Sequence, residues 1–159
     1  KNIATKTPEL TYIAITKKIE ANHKISNLRV VKGDWKTSDV SDEDMLRYIN
    51  NSLFVVLPLK ETLQPSGQSV ALQAMACRKS VIITKTSGFW DPENFIDYKH
   101  LLFVEPNNID QWNKQINLLI RDKKLRDKMA DNGMQLVNKY YNTGAFGSKL
   151  SELIKASIK

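Results

Sequence analysis

Val56-Leu57-Pro58-Leu59-Lys60-Glu61-Thr62-Leu63-Gln64-Pro65-Ser66-Gly67-Gln68-Ser69, running into Val70-Ala71-Leu72-Gln73-Ala74-Met75-Ala76-Cys77, is the stretch that decides how this chain folds. It continues a near-unbroken apolar run, Leu53-Phe54-Val55-Val56-Leu57. Such runs read as strands buried on both faces, as in a parallel sheet. A polar loop from Lys60 to Ser66 follows, and small and apolar residues then recur at helical spacing from Gly67 to Cys77. The first turn of such a helix carries unpaired backbone N–H groups and the positive end of the helix dipole, which together suit a phosphate. Ser66, Gly67, Gln68 and Ser69 present those amides with two hydroxyls and a side-chain amide, and the glycine removes a side chain that would block close approach. The same residues read equally well as an ordinary helix start capped by Ser66. The pattern is neither a Walker loop nor a three-glycine dinucleotide fingerprint.

Working outward, Tyr12 to Ile15 and Leu28 to Val31 read as short strands, the first of them buried. Ser41-Asp42-Glu43-Asp44 opens a helix, with Ser41 as cap and Asp44 in the capping-box position. Val81-Ile82-Ile83 and Leu101 to Val104 complete five strands. Three helices close the chain, over Asp110–Ile120, Lys123–Tyr141 and Phe146–Ile158, with Asn107-Asn108 capping the first. Strands alternating with helices predict an α/β fold: a Rossmann-like parallel sheet flanked by helices, with extra C-terminal helices, in a single domain over 1–159. Ligands in such sheets bind beyond the carboxyl ends of the strands. That rule selects Gly33–Trp35, Lys60–Ser69, Lys85–Trp90 and Glu105–Asn108.

Composition narrows the function. The 159 residues carry 24 Lys and Arg against 17 Asp and Glu, a formal charge of +7, so an anionic partner is one reading and plain solubility the other. The lysines are dispersed, with no dense basic stripe interleaved with aromatics, which disfavours nucleic acid. A phosphate-bearing small molecule or an anionic membrane surface met peripherally would satisfy the same charge. One cysteine, Cys77, excludes an internal disulfide and a cysteine-built zinc site, and two histidines, His23 and His100, offer little for a metal. Cys77 reads as core, both histidines as solvated loop residues, and the last helix as packed on its own domain. No apolar run is long enough to span a membrane. The chain does not open on Met, and the expectation is a fragment of a longer protein.

The block Ser66-Gly67-Gln68-Ser69-Val70-Ala71-Leu72-Gln73-Ala74-Met75-Ala76-Cys77-Arg78-Lys79-Ser80-Val81-Ile82 resembles the donor-binding signature of GT-B glycosyltransferases of the family-4 type. Their helix reads Leu-Glu-Ala-Met-Ala and is followed by a Gly-x-Pro-Val-Ile strand. Asn27 to Gly33, Ser41 to Ser52, Ser87-Gly88-Phe89-Trp90-Asp91 and Leu102 to Asn108 resemble further family segments in the same order. The resemblance implies the donor half of a cytoplasmic two-domain enzyme of polysaccharide biosynthesis. Its donor would be a UDP- or GDP-type sugar, transferred with retained configuration. It implies no metal, and a missing N-terminal acceptor domain and first strand. By resemblance the amides of Gly67, Gln68 and Ser69, with Ser66, meet the diphosphate. Gln73 meets the ribose and Gly33 and Trp35 the base, and Gly88 lies in the matching glycine loop; read from the residues alone, Gln73 is equally a solvated helix residue and Trp35 a core plug. Lys85, like Lys60, follows a strand at the binding edge and reads as a cation for the diphosphate or as a surface lysine beside a cleft, and Phe89 and Trp90 read as part of a sugar pocket or as a shield for the sheet edge. The family's Glu-x7-Glu pair falls on Pro65 and Gln73, so both carboxylates are absent, which also admits a catalytically degenerate binding module. Lys60, Glu61 and Gln64, on the same loop, are the candidates for the catalytic part.

Overall fold

A computed structural model describes residues 2–16, 25–33 and 40–158. They divide into two compact units, Lys1–Tyr48 and Ile49–Lys159. Trp35 and His23 lie outside the described residues.

In the first unit, α1 (Asn2–Lys6) leads to β1 (Tyr12–Thr16), which pairs in parallel with β2 (Leu28–Lys32), Tyr12 opposite Leu28 and Thr16 opposite Lys32. Asn27 fixes the turn into β2. Its side-chain amide donates to the carbonyls of Ala4, Thr7 and Leu10 at 2.8, 3.1 and 2.9 Å. The Gly33 N–H donates to the Thr16 carbonyl at 3.1 Å and so closes the end of the pair. The expected burial of β1 does not occur: Ile13 is exposed, as is Val30 on β2. Helix α2 (Asp42–Asn50) begins as its capping residues predict. Ser41 Oγ accepts the Asp44 N–H at 3.0 Å and donates to the Asp44 carboxylate at 2.9 Å, which also pairs with Arg47.

The second unit is a three-stranded parallel sheet of β3 (Val55–Leu57), β4 (Val81–Thr84) and β5 (Leu102–Val104) in the order β3-β4-β5. Helix α3 (Gln68–Ala76) makes the β3-to-β4 crossover. Three helices follow β5: α4 (Ile109–Arg121), α5 (Lys123–Tyr140) and α6 (Thr143–Ser157). The described strands thus form a parallel pair in the first unit and a parallel triplet in the second. β4 and β5 are sealed throughout. β3 is shorter than its apolar run and only half-buried. The core joins Val81, Ile82, Ile83, Leu101, Leu102 and Val104 to Met75 of α3, Trp112, Ile116 and Leu119 of α4, and Met129, Leu136 and Val137 of α5.

Side-chain oxygens start the late helices: Asn108 accepts the Gln111 N–H for α4, Asp122 that of Leu125 for α5, and Asn142 that of Ala145 for α6. Two expectations fail here. Cys77 is the half-exposed C-cap of α3, past the last residue that the helix buries. Helix α6 buries none of its residues within the described structure: Phe146, Leu150, Leu153 and Ile154 form an exposed apolar stripe.

His100, too, departs from expectation: it is buried rather than solvated. Its Nδ1 accepts the Ile96 N–H at 3.1 Å, holding the turn that leads into β5. Burial, reinforced by the nearby Lys99 charge, lowers its pKa despite an opposing hydrogen bond involving Asn94. A lowered folded pKa means that the unfolded chain takes up the proton first, so stability falls as pH drops from about 6.5 through the folded value. Urea unfolding at pH 7.5 and 5.5 is expected to show this loss, and His100→Asn, which keeps an acceptor but cannot titrate, is expected to flatten it. Equal pH dependence in the variant would refute the assignment.

Candidate functional site

The carboxyl ends of three parallel strands, Leu57, Thr84 and Val104, place three loops at one edge of the sheet. These are residues 58–67, 85–90 and 105–108. Thr84, almost fully buried, ends β4 with a hydroxyl aimed sideways: Oγ1 accepts the Leu59 N–H at 2.9 Å. The first loop is therefore fixed to the central strand as soon as it leaves β3. The Lys85 N–H in turn donates to the Val104 carbonyl at 2.9 Å, extending the β4–β5 ladder by a residue.

Gly67 then turns the first loop into α3. It is the N-cap, with φ 73° and ψ −3°, a left-handed conformation that favours glycine. A Cβ there would stand 3.1 Å from Leu59 Cδ1 and 3.4 Å from Ile83 Cδ1. Two expectations change. Ser66 is not the cap, and no side chain caps the helix. Glycine is required by backbone conformation and by the apolar contact beneath it, not by open space above it. The first intrahelical bond runs from the Ala71 N–H to the Gly67 carbonyl at 2.9 Å. The N–H groups of Gln68, Ser69 and Val70 therefore receive no side-chain cap, at the positive end of the helix. Gln68, Ser69 and Gln73 are exposed, and the i, i+4 spacing of Ser69 and Gln73 puts them on one helix face.

The 85–90 loop is stitched onto the first. The Ser87 N–H donates to the Glu61 carboxylate at 2.9 Å, and the Gly88 N–H to the Thr62 carbonyl at 2.9 Å. A Cβ on Gly88 would lie 2.4 Å from the carbonyl carbon and oxygen of Leu63. Only glycine lets the two backbones come this close. The Gln64 N–H donates to Thr62 Oγ1 at 3.0 Å, tightening the same bend, and leaves the Leu63 side chain 83% exposed at its tip. The Ser87 N–H holds the Glu61 carboxyl below the usual carboxylate range.

The flanking residues build an aromatic cluster. Phe89, Trp90, Phe95 and Phe103 pack ring against ring, Phe89 meeting Phe103 edge-on at 4.9 Å and Phe95 at 5.5 Å. This favours shielding of the sheet edge over a sugar pocket for Phe89 and Trp90. Lys85 Nζ lies 5.7 Å from the Phe103 ring centre, so its charge rests above this cluster. Burial raises the Asp91 carboxyl, but hydrogen bonds from Tyr141 and Asn94 and the Lys149 charge outweigh it and hold the pKa down. Burial and the same carboxylate push the Tyr141 phenol up.

The structure thus brings Glu61 and Gly88 together, with the Gln64 backbone folded into the same bend, and sets Gly67, Gln68 and Ser69 at the helix mouth. Lys60 and Gln64 have exposed side chains and Ser66 is half-buried, none with a side-chain partner among the described residues. Gly33 belongs to the first unit. Sequence reading missed Thr62, Thr84 and Ser87. The available signal was a hydroxyl residue within the first two loops and at the end of β4, indistinguishable there from ordinary polar composition. Among the described residues no three His, Cys, Asp or Glu side chains gather as a metal site, and no helix is long and apolar enough to cross a membrane.

This fold, parallel strands flanked by helices with three loops at one sheet edge, is that of GT-B glycosyltransferase C-terminal domains. The family model for glycosyl transferases group 1 matches residues 36–136, more than half of the chain, and the chain belongs to that family. An uncharacterized glycosyltransferase of Methanocaldococcus jannaschii is 30% identical over 100 residues, 63% of this chain and 27% of that protein. The crystal structure of the C-terminal domain of a glycosyl transferase group 1 family protein (LpcC) from Francisella tularensis superimposes with a TM-score of 0.67 at 25% identity, covering 89% of this chain and 75% of that one. Anabaena HepE, solved in complex with UDP, gives a TM-score of 0.73 at 15% identity over 94% of this chain and 42% of its own. The chain thus spans about a quarter of the curated relative that it matches.

Two substitutions test the scaffold of the site. Thr84→Val removes the acceptor of the Leu59 N–H at nearly constant volume and is expected to cost about 1–3 kcal/mol in urea unfolding. Gly67→Ala forces a side chain into the left-handed region and against Leu59, for a loss of at least about 1 kcal/mol. A neutral result for either would contradict the geometry described.

Proposed function

We propose that the chain is the donor-binding part of an enzyme that transfers a sugar from a nucleoside diphosphate sugar to an acceptor. The observation that carries this reading is the uncapped mouth of α3. In a group 1 glycosyltransferase chain, three backbone N–H groups stand without a side-chain cap at the carboxyl edge of the sheet. A diphosphate supplies the acceptors that the helix start lacks. The same amides act on the reaction itself. As the glycosidic bond to the diphosphate breaks, negative charge grows on the departing oxygens, and donors fixed in advance lower the barrier.

On this reading Ser66 and Ser69 add hydroxyls to the phosphate contacts, and Gln73, one turn on from Ser69, accepts from a ribose hydroxyl. Lys60, free of any partner among the described residues, is the cation placed to offset leaving-group charge without a resident metal. Lys85 contributes from above Phe103. Gly33 and Trp35 are assigned to the base by resemblance alone. The HepE structures, which hold UDP and UDP-glucose, make uracil the first base to try. Transfer is proposed to retain configuration, and the part of the enzyme outside this chain is proposed to hold the acceptor. By itself the chain should therefore bind the nucleotide without robust turnover. A second reading, a binding module that has lost catalysis, is favoured by Pro65 and Gln73 standing where the family carries glutamates.

Calorimetric titration with UDP, GDP and ADP separates these possibilities. Selective binding of one diphosphate that survives moderate salt is the expected outcome; uniform, steeply salt-dependent binding to any polyanion would overturn the donor reading. Gln68→Glu, a near-isosteric change at an exposed position, sets a carboxylate beside the three N–H groups, which suits the helix start but repels a diphosphate. It is expected to weaken the selected diphosphate about tenfold with little change in Tm. For the complete enzyme, transfer to acceptor with the product anomer matching the donor supports the first reading, whereas nucleotide binding without transfer supports the second.

A further inference from the structure

We propose that Glu61 is a positioning residue, which fastens the β3–α3 loop to the loop after β4 so that the mouth of α3 keeps the shape that a donor diphosphate requires. The inference deepens the donor reading above and rests on it.

Three features carry it. First, the loop is pinned at its entrance, where Leu59 bonds to Thr84, and at its exit, where Gly67 turns over Leu59 and Ile83. Between these points the only ties to another loop among the described residues are Glu61 with the Ser87 N–H and the Thr62 carbonyl with the Gly88 N–H. Second, the two ties are adjacent and cooperate sterically. Gly88 lies against the Leu63 carbonyl so closely that a Cβ would stand at 2.4 Å, and the loops meet only while this contact holds. Third, Glu61 is an exposed carboxylate held chiefly by a backbone donor, the Ser87 N–H, with the Ser87 hydroxyl as a further partner. A charged acceptor on a main-chain N–H is a stronger tie than a neutral one. The carboxylate also stays ionised at neutral pH, which suits a fastening and not a proton donor. Only residues 62–66 separate it from Gly67, one of them Pro65, so displacement at Glu61 reaches the helix mouth through a short, partly stiffened path.

The test is the affinity of the protein for UDP, or for GDP or ADP if one of these binds more tightly, measured with Tm for Glu61→Ala, Glu61→Gln, Gly88→Ala and the Glu61→Ala/Gly88→Ala double variant. Glu61→Ala is expected to weaken binding at least about fivefold with Tm within about two degrees of wild type. Glu61→Gln, whose amide oxygen still accepts the Ser87 N–H, is expected to restore affinity to within about twofold. Because both substitutions open the same junction, the double variant should lose clearly less than the product of the two single effects. Wild-type affinity in Glu61→Ala would overturn the positioning role and leave the donor reading standing. Failure of Glu61→Gln to rescue would overturn it in favour of direct contact between carboxylate and ligand. Absence of binding of all three diphosphates to the wild-type protein would sink the donor reading and the positioning role with it.

Discussion

The second unit depends on β4 being sealed. Val81, Ile82 and Ile83 are fully buried and Thr84 nearly so, which leaves the strand's backbone groups no access to water. They must be paired within the sheet, and β3 and β5 do so from either side in parallel. Parallel pairing then has a geometric consequence. All three strands end at the same edge, so three loops distant in sequence are delivered to one place. Every residue with a claim on chemistry in this unit sits in those loops or in the first turns of the helix that one of them opens.

Thr84 links core to edge. It is the last buried residue of the central strand and the only polar side chain in β4. Its hydroxyl satisfies the first free amide of the neighbouring loop. From there a succession of backbone constraints runs to Gly67: the Glu61 and Thr62 ties, the close contact at Gly88, and the left-handed turn above Leu59 and Ile83. The open helix start results from these constraints. A serine or aspartate in the N-cap conformation would have supplied its own acceptor; a left-handed glycine supplies none. Where the resemblance places the family's two glutamates, this chain carries Pro65 and Gln73.

Much of this was readable beforehand. The sealed strands Val81–Thr84 and Leu102–Val104 were legible because burial on both faces leaves no polar alternation in the sequence. Helices α4 and α5 were legible from their apolar spacing, and Ser41 and Asn108 as caps from their side chains. Other readings failed for physical reasons. The apolar run at Leu53 suggests a long sealed strand, but β3 pairs with β4 over three residues only and stays half-buried, since apolar spacing does not report how far a strand is covered. His100 looked like a solvated loop residue, because nothing local signals that a turn will fold its imidazole inward to accept an amide. The stripe on α6 looked like a core face, since periodicity reports amphipathicity without naming the surface that covers it.

The amino-acid order alone determined the class of fold and the kinship to group 1 glycosyl transferases, and it singled out one sheet edge and one loop for inspection. These follow from residue spacing, which local backbone geometry converts directly into strands, helices and turns. Tertiary structure alone decided what the residues of that loop do: Glu61 binds a neighbouring backbone, Gly88 permits a close approach, Gly67 packs inward, and Thr84 holds an amide 25 residues away in sequence. Each of these roles depends on a partner brought near by strand pairing. No local pattern encodes such a partner, because the contact exists only once the sheet has formed.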